Sequence, residues 1–198
     1  SFLKECRVQT GMQMMVGLPG DDEATVMETA LKIVEMSPDF IRIYPVVVLK
    51  NTGLANLYRK GKYQPFSLEE SVRITAKIYL LFEKHNIPIV RMGLLAHKDL
   101  EAGTMILAGP YHPAFGHLVY SKVFLDRANS EIDKMKIKKD RLEIRVHPRN
   151  ISRVRGHKNK NIEIINGMWN FHAIDVKRKQ CRRGCIRKRR CGTGGNPQ

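Results

Sequence analysis

The stretch GMQMMVGLPGDDEATVMETALKIVEMSPDFIRIYPVVVL, residues 11–49, decides the fold class. Residues 11–16 form a short, nearly apolar run that ends on Gly17-Leu18-Pro19-Gly20, so they read as a buried strand followed by a turn. Val26, Ala30, Ile33 and Val34 then fall at i, i+4, i+7 and i+8, which is one apolar stripe of a helix over residues 23–36. Acidic Asp21, Asp22 and Glu23 sit where the dipole of that helix favours negative charge, and Ser37-Pro38 stops it. Residues 39–49 are almost wholly apolar or β-branched, as in a strand covered on both faces. Strand, helix and strand in this order predict a right-handed parallel crossover and an α/β fold.

Working outward, Asn51-Thr52-Gly53 opens a short helix through Leu57-Tyr58 that Gly61 ends. Ser67 with Glu70 three residues on is a capping-box pattern for a helix over residues 68–85, and residues 87–95 read as a third strand. Three strands do not close a barrel, and the chain opens on Ser1 inside what reads as a helix around Phe2 and Cys6, so the sequence reads as a fragment. After Gly109-Pro110-Tyr111-His112-Pro113 the pattern predicts a helix over residues 114–128 and a basic connector over 134–140. A small α+β unit follows, with a half-exposed strand at 142–146 and helices at 150–154 and 158–165. From Lys177 onward there are 9 Lys+Arg, no acids and one aliphatic residue, Ile186; such a tail cannot offset the entropy of ordering and is expected to be disordered.

The chain has 198 residues with 35 Lys+Arg against 19 Asp+Glu, a formal net charge of +16. Residues 1–133 hold 15 of each sign, whereas residues 134–198 hold 20 basic and 4 acidic residues, so the whole excess lies in the last third. A neutral body with a basic end points to a polyanionic partner, and to nucleic acid over membrane because no apolar anchor accompanies the charge. No run approaches the roughly 18 apolar residues of a membrane span, and no signal-like pattern opens the sequence, so a cytoplasmic protein is expected. Cys6 alone, with Cys181, Cys185 and Cys191 together, does not resemble a secreted disulfide framework.

Period-two alternation assigns the strand faces. Gln13 and Met15 alternate with Met12, Met14 and Val16; Arg42 and Tyr44 alternate with Ile41 and Ile43; Ile89, Arg91 and Gly93 alternate with Val90 and Met92. If the apolar face meets the helices, the opposite face collects Gln13, Arg42, Tyr44 and Arg91. A buried cluster of this kind requires either an anionic or polar ligand or salt bridges within the fold. The Gly17 to Gly20 turn lies at a strand's C-terminal end, where ligands approach α/β sheets, although an ordinary turn explains it equally. No Ser/His/Asp arrangement or Walker loop is present, so hydrolase and nucleotide-triphosphatase chemistry has no support. His97, His112 and His117 lack a ligand spacing, and the C-terminal cysteines lack a fourth ligand and an apolar shell, so no metal site is assigned.

Gln13-Met14-Met15-Val16-Gly17-Leu18-Pro19-Gly20-Asp21, Pro38-Asp39-Phe40-Ile41-Arg42-Ile43-Tyr44-Pro45 and Gly61-Lys62-Tyr63 resemble the radical S-adenosylmethionine (SAM) enzymes of the Elongator catalytic-subunit-like group. Ala108-Gly109-Pro110-Tyr111-His112-Pro113, Glu143-Ile144-Arg145-Val146-His147-Pro148 and Gly156-His157-Lys158 with Asn161-Ile162 look like its shorter bacterial members, which carry a C-terminal extension instead of an acetyltransferase domain. The resemblance covers about residues 1–175. It implies the C-terminal portion of a partial (βα) TIM-like barrel over residues 1–130 and an extension domain over 134–176, whereas the basic tail over 177–198 departs from the family's pattern.

In that family a CxxxCxxC loop binds a 4Fe-4S cluster, which cleaves SAM reductively to a 5′-deoxyadenosyl radical. The loop is absent from this sequence, so the resemblance implies SAM and the cluster for a full-length enzyme and no cluster in this chain. It implies Gln13, Met15, Gly17, Gly20, Arg42 and Tyr44 as SAM-facing residues. Because the Elongator subunit modifies wobble uridine in transfer RNA, it also implies tRNA or another RNA as a partner. Arg91, Arg145, Arg149, Arg153, Arg155, Lys158 and Lys160 are then the RNA-binding candidates, and the missing N-terminal half of the barrel is a second partner. Two other readings stay open: a stand-alone basic RNA-binding module, and an inactive truncated product.

Overall fold

The computed structural model describes residues 8–95, 104–135 and 141–179. The expected helix around Phe2 and Cys6, His97, most of the basic connector, and the tail with Cys181, Cys185 and Cys191 lie outside the described residues. The fold is mixed α/β. Strand β1 (Gly11–Val16), helix α1 (Glu23–Met36) and strand β2 (Phe40–Pro45) form the expected crossover, with β1 and β2 parallel. Strand β4 (Ile89–Met92) joins the other side of β2 in parallel, giving the order β1-β2-β4.

Local chemistry explains these elements. Asp22 caps α1 by accepting from the Thr25 amide at 2.8 Å, while the Asp22 amide donates back to the Thr25 hydroxyl at 2.8 Å. Ser37 ends the helix in the left-handed region. The capping box expected from Ser67 and Glu70 opens α3 (Leu68–Lys84), with the Glu70 amide donating to Ser67 and the Ser67 amide donating to Glu70. Helices α1 and α3 cover one face of the sheet. Val26, Ala30 and Ile33 from α1 and Ile74, Ile78 and Phe82 from α3 pack on Met14, Val16, Ile41 and Ile43.

The strand expected over residues 39–49 is two strands. Pro45 has no N–H with which to continue the ladder, and the chain leaves the sheet there. Strand β3 (Val48–Leu49) pairs instead with β5 (Ile106–Ala108) in a separate antiparallel ribbon, and the short helix α2 (Gly53–Arg59) lies between β3 and α3. The third strand is also shorter than the expected 87–95, bounded by Pro88 and by Gly93 at φ +87°.

Helix α4 (Phe115–Met135) runs seven residues past the expected end at 128 because its last turns bury apolar surface. Leu125 and Ile132 pack there on Ile165 and Phe171 of the C-terminal unit. That unit comprises β6 (Arg141–Val146), α5 (Ile151–Arg155), α6 (Lys160–Trp169) and β7 (Ala173–Arg178), with β6 and β7 parallel. Strand β7 includes Lys177 and Arg178, which corrects the expected start of a disordered tail at Lys177. The Lys177 ammonium reaches Glu143 on β6 at 2.6 Å, and the Lys179 amide donates to the Val146 carbonyl at 2.7 Å. The Asn161 side chain fastens the unit to α4 by donating to the Ser121 carbonyl and hydroxyl, and it also reaches the Val154 carbonyl at 3.1 Å. Gly156 makes this possible: a Cβ there would lie 2.9 Å from the Ser121 hydroxyl and 3.0 Å from the Asn161 amide carbon.

Candidate functional site

Strand register brings the predicted polar residues into line. Gln13 pairs with Arg42 and Arg42 with Arg91, so the three form one row across the sheet; Met15 and Tyr44 form the next pair along β1 and β2. This is the sheet face opposite α1 and α3. Simple alternation grouped Arg91 with Ile89, yet Ile89 packs into the helix-covered core while Arg91 is exposed. The reason is a bulge: Ile41 pairs with Ile89 and Arg42 with Arg91, leaving Val90 as an extra residue that restores Arg91 to the face of Arg42.

The expectation of a buried polar cluster is corrected. Gln13, Arg42 and Arg91 are exposed, Met15 is 41% exposed and Tyr44 is half-buried. Their charges therefore remain hydrated, and no internal partner is required to keep them. The Arg42 guanidinium carbon lies 5.9 Å from the centroid of Phe40, two residues back on the same face. Arg42 and Arg91 form no ion pair among the described residues.

The turn after β1 is braced from within. The Asp21 carboxylate accepts from the Gly17 amide at 3.1 Å and the Leu18 amide at 2.8 Å, and the Asp21 amide donates to the Leu18 carbonyl. The buried Tyr63 hydroxyl donates to the Gly17 carbonyl at 2.6 Å. Burial, with a smaller contribution from nearby Asp21, pushes the Tyr63 hydroxyl above its usual pKa and keeps it a donor. Gly17 and Leu18 thus spend their amides on Asp21. This leaves less free backbone at the turn than its glycines indicated.

The basic candidates of the C-terminal unit separate into groups. Arg145 pairs with Glu143, which also takes Lys177; hydrogen bonds from Lys177 first and Arg145 second hold Glu143 below the usual carboxylate pKa. Arg149, Arg155, Lys158 and Lys160 are exposed. Arg153 is half-buried, its guanidinium carbon 3.9 Å from the Tyr120 ring centroid and one nitrogen 3.3 Å from the Asn150 side-chain oxygen. Arg91 and Arg153, far apart in sequence, line the same cleft of about 540 Å³ together with His117 and Tyr120. Sequence reading did not find this role for His117 and Tyr120, which depends on where α4 docks. His112 lies elsewhere and accepts from the Ala114 amide at 3.0 Å at the entry to α4.

These features describe an α/β chain with a polar row on an open parallel-sheet face. Residues 38–124 match the family described as Radical_SAM C-terminal domain, and the chain fits the Elongator-like radical SAM group. It is 27% identical over 122 residues to the tRNA uridine(34) acetyltransferase of Methanocaldococcus jannaschii, a match covering 60% of this chain and 21% of that protein. It is 36% identical over 44 residues to human Elongator complex protein 3, covering 22% of this chain and 8% of that one. The solved structure of archaeal Methanocaldococcus infernus Elp3 with an N-terminal deletion aligns with a TM-score of 0.47 at 22% identity, over 64% of this chain and 29% of that chain. The chain spans about a fifth of the length of the archaeal relatives it matches.

The described residues include no cysteine, and no group of three or more His, Cys, Asp or Glu among them is placed to hold a metal. They do not fit an iron–sulfur cluster. The row on the sheet does suit part of SAM: the exposed Arg42 guanidinium matches a carboxylate, and the neighbouring Gln13 amide offers both donors and an acceptor. No helix among the described residues is long and apolar enough to cross a membrane.

Proposed function

We propose that this chain is the C-terminal portion of a cytoplasmic radical SAM enzyme that acts on tRNA, with its parallel sheet forming the later strands of a partial (βα) barrel. The observation that carries this reading is the row of Gln13, Arg42 and Arg91 on the face turned away from the helices, in a chain whose residues 38–124 match the Radical_SAM C-terminal domain. In this reading the N-terminal strands of the barrel pair with the edge of β1 away from β2 and close over that face, and the cluster belongs to them. Arg42 and Gln13 hold the amino-acid end of SAM, while Met15 and Tyr44 flank its apolar part. When bound in such an enzyme, SAM supplies a 5′-deoxyadenosyl radical.

The test begins with the upstream reading frame. A three-cysteine cluster motif is expected within about one domain's length, or 100–150 residues. The extended protein should form 5′-deoxyadenosine from SAM under reducing conditions, and Arg42→Ala should lower the rate at least tenfold. Absence of the cysteine motif, or turnover indifferent to Arg42→Ala and Gln13→Ala together, would overturn the reading.

A further inference from the structure

The cleft shared by Arg91 and Arg153 runs along the outer side of β4, the last strand of its sheet, and is walled by the first turns of α4. Two glycines bring those elements together. A Cβ on Gly116 would lie 3.1 Å from the Met92 carbonyl, and one on Gly93 would lie 2.8 Å from the Phe115 Cβ. The N-terminus of a 21-residue helix is thereby pressed against the end of β4. Gly116 and His117, whose residues line the cleft, lie in the first turn, where helix amides have no intrahelical acceptor.

The cleft is electropositive by construction. Neither arginine meets a carboxylate among the described residues: Arg153 rests on Tyr120 and Asn150, and Arg91 projects from the bulge at Val90. The positive end of the α4 dipole adds to both. A smaller groove of about 370 Å³ adjoins the cleft, sharing Ile89 and Tyr120 with it, and is lined also by Tyr79, Asn86 and Glu83, whose carboxylate is paired with Arg127. An anion subsite beside an aromatic wall carrying an amide is the combination that takes a phosphate and its attached nucleoside.

We propose that this cleft binds one phosphodiester of a single-stranded nucleic acid. Arg91, Arg153 and the first-turn amides of α4 hold the phosphate, and Tyr79, Tyr120 and Asn86 flank the neighbouring nucleoside. The choice of RNA as the strand rests on the tRNA reading above. The phosphate subsite does not.

The full 198-residue chain is titrated with an octauridylate, with the matching deoxy octamer and with inorganic phosphate, following backbone amides by NMR and affinity by fluorescence anisotropy. The octauridylate is expected to move the Gly116 and His117 amides. Arg91→Gln and Arg153→Gln should each weaken it about tenfold, as for loss of one charge-assisted hydrogen bond. The double variant should lower the salt slope by about 0.7, the value for one phosphate of a single strand. Lys32→Gln, on the remote face of α1, should leave affinity unchanged. The cleft assignment fails if the double variant binds normally while Arg149→Gln with Arg155→Gln does not, or if the wild-type shifts avoid Gly116 and His117. Inorganic phosphate moving those amides as strongly as the octamer would replace the strand with a free anion and overturn the proposal. Tighter binding of the deoxy octamer would refute RNA as the strand. Because 5′-deoxyadenosine formation by the extended protein is read separately, failure of the enzymatic reading is distinguishable from failure here.

Discussion

Asn161 donates its side-chain amide to both the carbonyl and the hydroxyl of Ser121, at 2.9 and 3.0 Å, across 40 residues of chain. Asn161 and Ser121 are both buried, so neither can exchange these bonds for water. Asn161→Ala should lower unfolding free energy by about 1–3 kcal/mol, the cost of leaving buried polar groups unpaired. Urea denaturation of the full chain measures it. A change within about 0.5 kcal/mol, the range of ordinary surface substitutions, would mean that the bonds add nothing.

Tyr63 and Gly17 tie the turn after β1 to the segment before α3. Tyr63→Phe keeps the buried ring and removes the hydroxyl, so the Gly17 carbonyl loses its donor. A loss of about 1 kcal/mol is expected in thermal or urea unfolding. Wild-type stability in the Phe variant would show that another donor replaces the hydroxyl.

Several carboxylates are held below their usual pKa: Glu23 by hydrogen bonds from Lys77 and Arg73, Asp22 by the Thr25 amide and hydroxyl, and Glu70 by the Ser67 amide and side chain. A depressed folded pKa stabilises the fold above the unfolded value, about 3.9 for Asp and 4.3 for Glu. That stability is lost as pH falls through the folded values. The acid limb of a circular-dichroism pH titration should therefore begin near pH 4–5. Glu23→Gln should make the limb shallower, because one linked proton is removed, and an unchanged limb would exclude Glu23 from it.

Gly93→Ala combines two costs: φ +87°, where side chains are strained, and a Cβ only 2.8 Å from that of Phe115. Loss of about 2–4 kcal/mol is expected, from strain of about 1–3 kcal/mol together with overpacking of the α4 start. Equilibrium unfolding decides it, and a neutral result would mean that α4 can withdraw from β4 without loss.

The β1-α1-β2 crossover and the capping box of α3 were legible because their causes are local: an apolar period, a turn and a side chain three residues from its acceptor. Gln13, Arg42 and Tyr44 shared a face on alternation alone. Their exposure was not legible, since it depends on what covers the sheet. Strand β7 was hidden because Ala173, Asp175, Lys177 and Arg178 lack strand composition, and it forms through its partner β6. The cleft joining Arg91 with Arg153 needed the docking of α4 against β4, set by contacts between residues distant in sequence.

The unpaired Val90 gives β4 an asymmetric tolerance to length change. Deleting Val90 would remove the bulge and leave strict alternation, with Ile89 and Met92 still facing the helices and Arg91 still beside Arg42 on the opposite face. Forcing Val90 into the ladder with no residue lost would instead turn Arg91 to the face of Ile89, under the helices, where a charge has no water. Loss of the Val90 codon should therefore keep every remaining side chain of this short strand on its own face, and conservative replacement of Val90, already in solvent, should pass almost unnoticed.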